Sequence, residues 1–309
     1  MILTITLNPS VDISYNLDEL NIDTVNRVNE VAKTAGGKGL NVSRVLRQLD
    51  EQVMATGYLG GELGAFISNE ITKIGIQDHF IKIDEETRNC IAILHDGKQT
   101  EILEKGPVIN EQEGNKFLDV FDEYVKKADI VTISGSLPKG LSYSFYLQLI
   151  SKAEKYHTPV LLDTNGKLLN QILTDGAKPF LIKPNQEELA QIVNEKIENR
   201  QQIIDLLRSD IFANIPWVVI TLGANGAIIK KDNDLYYAQI PKIDAINPVG
   251  SGDSVIAGFA AGLKRKLETE ELIKFGLSMG VLNAMEPKTG SINPENMHSI
   301  VDQITVEQI

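Results

Sequence analysis

The sequence predicts an α/β protein: a mostly parallel sheet covered by helices on both faces, with a small separate β-sheet acting as a lid. Three observations lead to this. From residue 53 onward, strand-like and helix-like segments alternate. Two pairs of short strand-like segments fall outside that rhythm, within about 12–35 and 87–106. Polar, Gly- and Pro-containing turns follow several strands, at the sheet edge where open α/β proteins gather their ligands. The 309 residues are read as one domain over 1–309 that carries both lid segments.

The β-rich run 2–7 ends at Asn8-Pro9, with Asp12 just beyond it. That position suits a carboxylate holding a polar substrate, and it equally suits an Asx turn. Met1 to Leu7 lacks a basic region, so it reads as a first strand and not a signal peptide. The first lid pair is expected at 13–17 and 25–32. The second is expected at 89–95 and 100–104, joined through Asp96-Gly97, a hairpin signal. Between the pairs, Gly36-Gly37-Lys38-Gly39-Leu40-Asn41 leads into a helix expected over 42–49. The spacing is not that of a Walker A loop. Glycines there allow close backbone approach to a ligand, and Lys38 and Asn41 offer donors.

The alternation continues with strands at 53–58, 130–134, 160–163, 180–182, 217–221, 227–231 and 235–239. Helices are expected over 63–74, 112–127, 143–155, 186–193, 199–208, 270–285 and 295–302. Ser134-Gly135-Ser136-Leu137-Pro138, Asp163-Thr164-Asn165 and Lys183-Pro184-Asn185 close three of the strands. Asn185 and Glu188 face one way at a helix start, either as oxygen ligands for a hydrated magnesium or as a capping box. Gly223 and Gly226, after Thr221, would let a nucleotide lie against the backbone, and a plain hairpin explains them too.

The chemistry centres on Asn247-Pro248-Val249-Gly250-Ser251-Gly252-Asp253, which opens a small-residue helix running through Leu263. The amides of Gly250, Ser251, Gly252 and Asp253 would form an anion cradle backed by the helix dipole. A carboxylate in an anion site has a use if it takes a proton from the group attacking that anion, as phosphoryl transfer requires. Taken alone, the turn is better explained by an Asp that only caps a helix.

Forty-two acidic residues against thirty basic ones give a formal charge of −12, which argues against nucleic acid or an anionic membrane as partner. No apolar run approaches the length of a membrane span. Cys90 is the single cysteine, so a disulfide framework is excluded and a reducing, cytoplasmic setting expected. The four histidines show no ligand spacing.

Taken together, Asn8 to Asp12, Gly36 to Asn41, Ser134 to Pro138, Lys183 to Glu188, Thr221 to Gly226 and Asn247 to Asp253 resemble the ribokinase-like carbohydrate kinases, the phosphofructokinase B family. The match spans the chain, and the order of the motifs makes it specific. One departure is Asp50, where the family usually has Gly or Ser; Asp tolerates the left-handed cap such a position needs.

The resemblance implies a three-layer α/β/α kinase using ATP and Mg2+. Asp253 would be the base, with Gly250, Ser251 and Gly252 forming the anion hole. Asn185 and Glu188 would organise magnesium. Lys183, Asn185, Thr221, Gly223, Gly226 and Asn283 would line the ATP site, and Asp12, Gly37 and Asn41 would hold sugar hydroxyls. An Asp at a helix N-terminus would stay ionised as a weak base. Arg88 in Thr87-Arg88-Asn89 resembles the sugar-phosphate kinases, with Arg27, Lys38 and Ser136 completing a phosphate cluster. The expected acceptor is a ketohexose phosphate, with substrates phosphorylated at either end of the sugar left open. A catalytically silent nucleotide-binding regulator is disfavoured by the intact Asp253 and the Asn185/Glu188 pair. In related kinases such lids pair between subunits, so a homodimer through the lid is expected.

Overall fold

The computed structural model describes residues 1–309. In chain order the first half comprises β1 (Ile2–Thr6), β2 (Ser10–Asn16), β3 (Val31–Gly36), α1 (Lys38–Gln48), β4 (Val53–Gly60), α2 (Gly61–Lys73), β5 (Gln77–Asp78), β6 (Ile81–Ile83), β7 (Arg88–His95), β8 (Lys98–Leu103), α3 (Glu111–Val125), β9 (Ile130–Ser134) and α4 (Ser144–Lys155). The second half comprises β10 (Val160–Asp163), α5 (Gly166–Thr174), β11 (Leu181–Ile182), α6 (Gln186–Val193), α7 (Arg200–Leu207), β12 (Trp217–Thr221), β13 (Ala227–Lys231), β14 (Asp234–Gln239), α8 (Ser251–Lys264), α9 (Thr269–Ala284), α10 (Met297–Gln303) and β15 (Thr305–Gln308).

The large sheet runs β15-β14-β13-β12-β11-β10-β9-β1-β4-β5, with β6 also paired to β4. Pairings from β12 to β5 are parallel, and β13 to β15 add an antiparallel edge. Successive side chains of a strand point to opposite faces, so a sheet buried on both sides needs two cores. Leu3, Ile5, Val131 and Leu162 join Phe117, Tyr146 and Leu189 of α3, α4 and α6. On the other face Ile2, Leu161 and Val219 join Val45, Phe259 and Ile273 of α1, α8 and α9.

Small side chains on that second face let helices come close to the sheet and to each other. The Thr4 hydroxyl meets the Ser43 hydroxyl of α1 at 2.7 Å. A Cβ on Gly258 of α8 would lie 2.8 Å from the Gly276 Cα of α9, so these two helices touch backbone to backbone. The all-round apolar composition of α8 is that of a helix enclosed on every side.

The lid is a four-stranded sheet in the order β3-β2-β7-β8. Its outer pairings are antiparallel, and the central β2/β7 pairing is parallel. The expected hairpin is present: Asp96 and Gly97 both have positive φ, at 49° and 68°. Val11 and Ile13 turn one lid face into the core. Asp12 therefore lies on the opposite face, by the two-residue alternation of β2.

Several local readings change; the first lid strand, for one, begins at Ser10 and not at 13, so Asp12 lies within it. α1 begins at Lys38 and not at residue 42, because Gly37 (φ 106°) makes the turn and Gly39 is already helical. Gly39 weakened the helical signal, yet a Cβ there would sit 2.2 Å from the Thr6 hydroxyl. The second lid strand starts at Val31 and not at 25, since Asn21 and Asn26 close a loop through reciprocal bonds of 2.9 and 2.6 Å. The helix α5, capped by Asn165, and the short strands β5, β6 and β15 were not anticipated. Asp50, at φ 61°, takes the left-handed conformation expected of it.

Candidate active site

The carboxyl ends of β1, β9, β10, β11 and β12 converge on the N-terminus of α8 and the start of α1. Gly250 caps α8 at φ 83°, and a Cβ there would collide with Thr289 Cγ2 at 2.6 Å, so only glycine fits the turn. No side chain caps this helix. The Ser251 amide bonds Pro248 O at 3.2 Å, and Ser254 N returns to Gly250 O at 2.9 Å. The amides of Gly250, Gly252 and Asp253 have no acceptor within the protein. Three of the four expected cradle donors are therefore free, and the fourth is shared.

Asp253 sits in the first turn of α8, buried. Its Oδ2 accepts from Asn41 Nδ2 at 2.7 Å. Burial first, then the nearby Asp163 charge, push its carboxyl up to about 6, against the pull of Lys38, Asn41 and Lys183. The carboxyl is thus a stronger base than a helix N-terminus alone would give, because desolvation outweighs the helix dipole.

Asp163, at the end of β10, is the residue the motif reading passed over as strand-end punctuation. It is fully enclosed between two ammonium groups, Lys38 Nζ at 3.4 Å and Lys183 Nζ at 3.4 Å. Burial alone would raise its carboxyl, but the Lys183 and Lys38 charges hold it below the ordinary carboxylate range. The same Asp163 drives the Lys38 ammonium upward, with burial opposing. Lys38 also stands 3.8 Å from Glu188 Oε1. Lys183 Nζ would lie 3.0 Å from a Cβ on Gly252, which sets this buried ammonium directly against the free amides.

Asn185 and Glu188 form a reciprocal capping box at the start of α6, with bonds of 2.9 and 2.8 Å. Glu188 Oε2 makes the cap, which leaves Oε1 toward Lys38. Thr221 bridges to Asn185, placing the end of β12 beside this helix start. Gly223 (φ 57°) has open space where a Cβ would be. Gly226 (φ 84°) would clash with Ala238 O at 2.0 Å, so its glycine serves the hairpin. Asn283, expected near an adenine, is fully buried. Its Nδ2 donates to Val249 O at 2.9 Å and its Oδ1 accepts from Gly290 N at 2.8 Å, bracing the 247–251 loop from behind.

At the lid, Ser10 Oγ donates to Asp12 Oδ1 at 2.6 Å. A Cβ on Gly36 would stand 2.0 Å from Asp12 Cγ, so the glycine leaves room for the Asp12 carboxylate in its present position. Burial raises the Asp12 carboxyl, opposed by Ser10, Arg44 and Arg88. Arg88 donates to Glu104 O and Asn8 O, both at 3.0 Å, and its buried Nε has no partner. Asn8 Nδ2 reaches Lys105 O at 3.3 Å and Ser136 Oγ at 3.5 Å. Arg88 and Ser136 therefore meet through Asn8, whereas Lys38 belongs with Asp163. Arg27 lies exposed on the loop before β3 and makes no hydrogen bond or ion pair.

The profile of the pfkB family carbohydrate kinases matches residues 5–296. The tagatose-6-phosphate kinase of Staphylococcus epidermidis is 47% identical over 310 residues, covering 100% of both chains. Escherichia coli phosphofructokinase-2 in complex with fructose-6-phosphate superposes with a TM-score of 0.87 at 25% identity, covering 97% of this chain and 98% of the other. A Thermotoga maritima chain described as a possible 1-phosphofructokinase gives a TM-score of 0.90 at 25% identity, covering 100% of this chain and 99% of that one.

Proposed function

The chain belongs to the pfkB family of carbohydrate kinases, and from that premise we propose that it transfers the γ-phosphate of ATP to D-tagatose 6-phosphate, giving D-tagatose 1,6-bisphosphate. The observation that carries the reading is a buried carboxylate, Asp253, beside unpartnered helix-terminal amides and two ammonium groups. Asp253 takes the proton of the acceptor hydroxyl as its oxygen bonds to the γ-phosphorus and the bond to the ADP oxygen breaks. The amides of Gly250, Gly252 and Asp253, with Lys183 and Lys38, receive the charge of the transferred group. Ser251 completes the loop. Thr221 and Gly223 border the nucleotide, while Asp12, Gly37 and Asn41 hold sugar hydroxyls.

Magnesium would be held loosely beside Asn185 and Glu188. No three acidic or histidine side chains gather into a cage, and Glu188 keeps one oxygen outside its cap, which suits a hydrated ion bound mainly through phosphates. Such an ion, when bound, neutralises phosphate charge.

The acceptor's own phosphate is assigned to Arg88, with Ser136, at the foot of the lid; Arg27, on the exposed loop before β3, lies at the far end of the lid strands and is left out of this cluster. The whole chain acts as one kinase domain. With Cys90 unpaired, we place it in the cytoplasm, and its substrate would tie it to lactose metabolism. The likeness to the Thermotoga maritima chain favours a second reading, in which fructose 1-phosphate is the acceptor.

A coupled ATPase assay over a panel of ketohexose phosphates and free ketohexoses tests both readings. Tagatose 6-phosphate is expected to give the highest kcat/KM. Arg88→Ala should raise its KM by the equivalent of about 2 kcal/mol or more while sparing free sugar. A preference for fructose 1-phosphate would select the second reading, and a preference for free sugar would overturn both.

A further inference from the structure

Arg44 lies one helical turn beyond Asn41 on α1, a spacing at which side chains meet. An arginine on the surface of a helix is ordinarily a solvated charge, but this one is turned inward. Its Nη1 donates to Ala35 O at the foot of lid strand β3. Its Nη2 donates to Asn41 Oδ1 and to Thr289 O, the latter at 3.1 Å. Thr289 and Gly290 belong to the loop that packs behind Gly250, where Asn283 is bonded to Gly290.

A guanidinium can only donate, so it selects the oxygen of the Asn41 amide. The nitrogen is then left to face Asp253, at 2.7 Å. Without Arg44 the amide is free to flip once Asp253 is protonated, presenting its oxygen to the acid proton. That arrangement would stabilise the form of Asp253 that cannot accept a proton. We propose that Arg44 is a positioning residue for phosphoryl transfer: through Asn41 it holds Asp253 in its proton-accepting arrangement, and it ties that arrangement to the foot of the lid and the loop behind the anion cradle. The inference rests on Asp253 being the base.

The charged groups facing Asp253 are Lys38 and Arg44 on α1, Asp163 on β10 and Lys183 beyond β11, with Asp12 of β2 facing Arg44 from the lid. Two variants separate the contributions of Arg44. Arg44→Met removes both charge and fork, whereas Arg44→Lys keeps the charge and loses the planar fork that reaches Ala35, Asn41 and Thr289 together. The acid limb of the pH–kcat/KM profile, on the wild-type substrate, is the readout. Arg44→Lys should move it upward by about half a pH unit, and Arg44→Met by about one unit with a roughly tenfold lower kcat.

Melting temperature is recorded for each variant. If Arg44→Met does not fold, Arg44→Lys carries the test. An unmoved acid limb in the folded variants, with activity reduced equally at every pH, would make Arg44 a structural brace and overturn the proposal. Asp253→Asn run alongside keeps the two ideas apart. If that variant is active, the assignment of the base fails. If it is inactive while the Arg44 limb stays put, only the positioning role fails.

Discussion

At the scale of single residues, Asp253 is the proposed base, and its burial is costly. Its carboxyl is lifted to about 6 by burial and by Asp163, from an ordinary value of 3.8. A carboxyl with a raised folded value adds stability that is full below the unfolded value and is lost as pH rises through the folded one. At pH 7 the ionised group therefore costs stability, and Asp253→Asn should melt higher, by the equivalent of about 1–2 kcal/mol. The same change should lower kcat by roughly 10² to 10⁴ while ATP still binds. Calorimetry and single-turnover kinetics on one variant check both. Near-normal turnover would overturn the assignment of Asp253 as the base.

At the scale of elements, the start of α6 does two jobs that one substitution can separate. The Asn185–Glu188 capping box holds the helix, and Glu188 Oε1 points to Lys38. Gln at the third helical position also completes a capping box. Glu188→Gln should thus leave the melting temperature within about 0.5 kcal/mol of wild type. It should raise the magnesium concentration for half-maximal rate several-fold. A large loss of stability with an unchanged magnesium curve would make Glu188 purely structural. The contact of α8 with α9 shows the same economy of space: Gly258 and Gly276 bring the helix that bears Asp253 against its neighbour at backbone distance.

At the scale of the molecule, the lid is the part least complete in one copy. Val31, Ile102 and Leu103 are 49, 54 and 58% exposed, and Ile22 and Val25 on the adjoining loop more so. A four-stranded sheet with that much apolar surface calls for cover. A second copy, lid against lid, would supply it. Light scattering should find a dimer for the wild type and a monomer for Leu103→Glu, with KM for the sugar phosphate raised in the monomer. A wild-type monomer at assay concentration would sink this assembly.

The residues by themselves determined the strand–helix alternation, the lid as a separate sheet and the turn that leaves amides free at the start of α8, and they offered the capping box at Asn185 as one of two readings. Each of these is written within one turn or one strand, where period, glycine and cap signals act. Local signals also misled, as at Val25, where β-branched residues lie in a loop closed by Asn21 and Asn26. Only the tertiary structure decided the partners. Lys38 meets Asp163 across 125 residues, and Asn41 meets Asp253 across 212. Arg44 reaches Thr289, and Asn283 holds the 247–251 loop through Val249 O. Those pairings, and the raised carboxyl of Asp253, follow from how far folding removes charged groups from water and which neighbours it leaves them, and no local pattern carries that information.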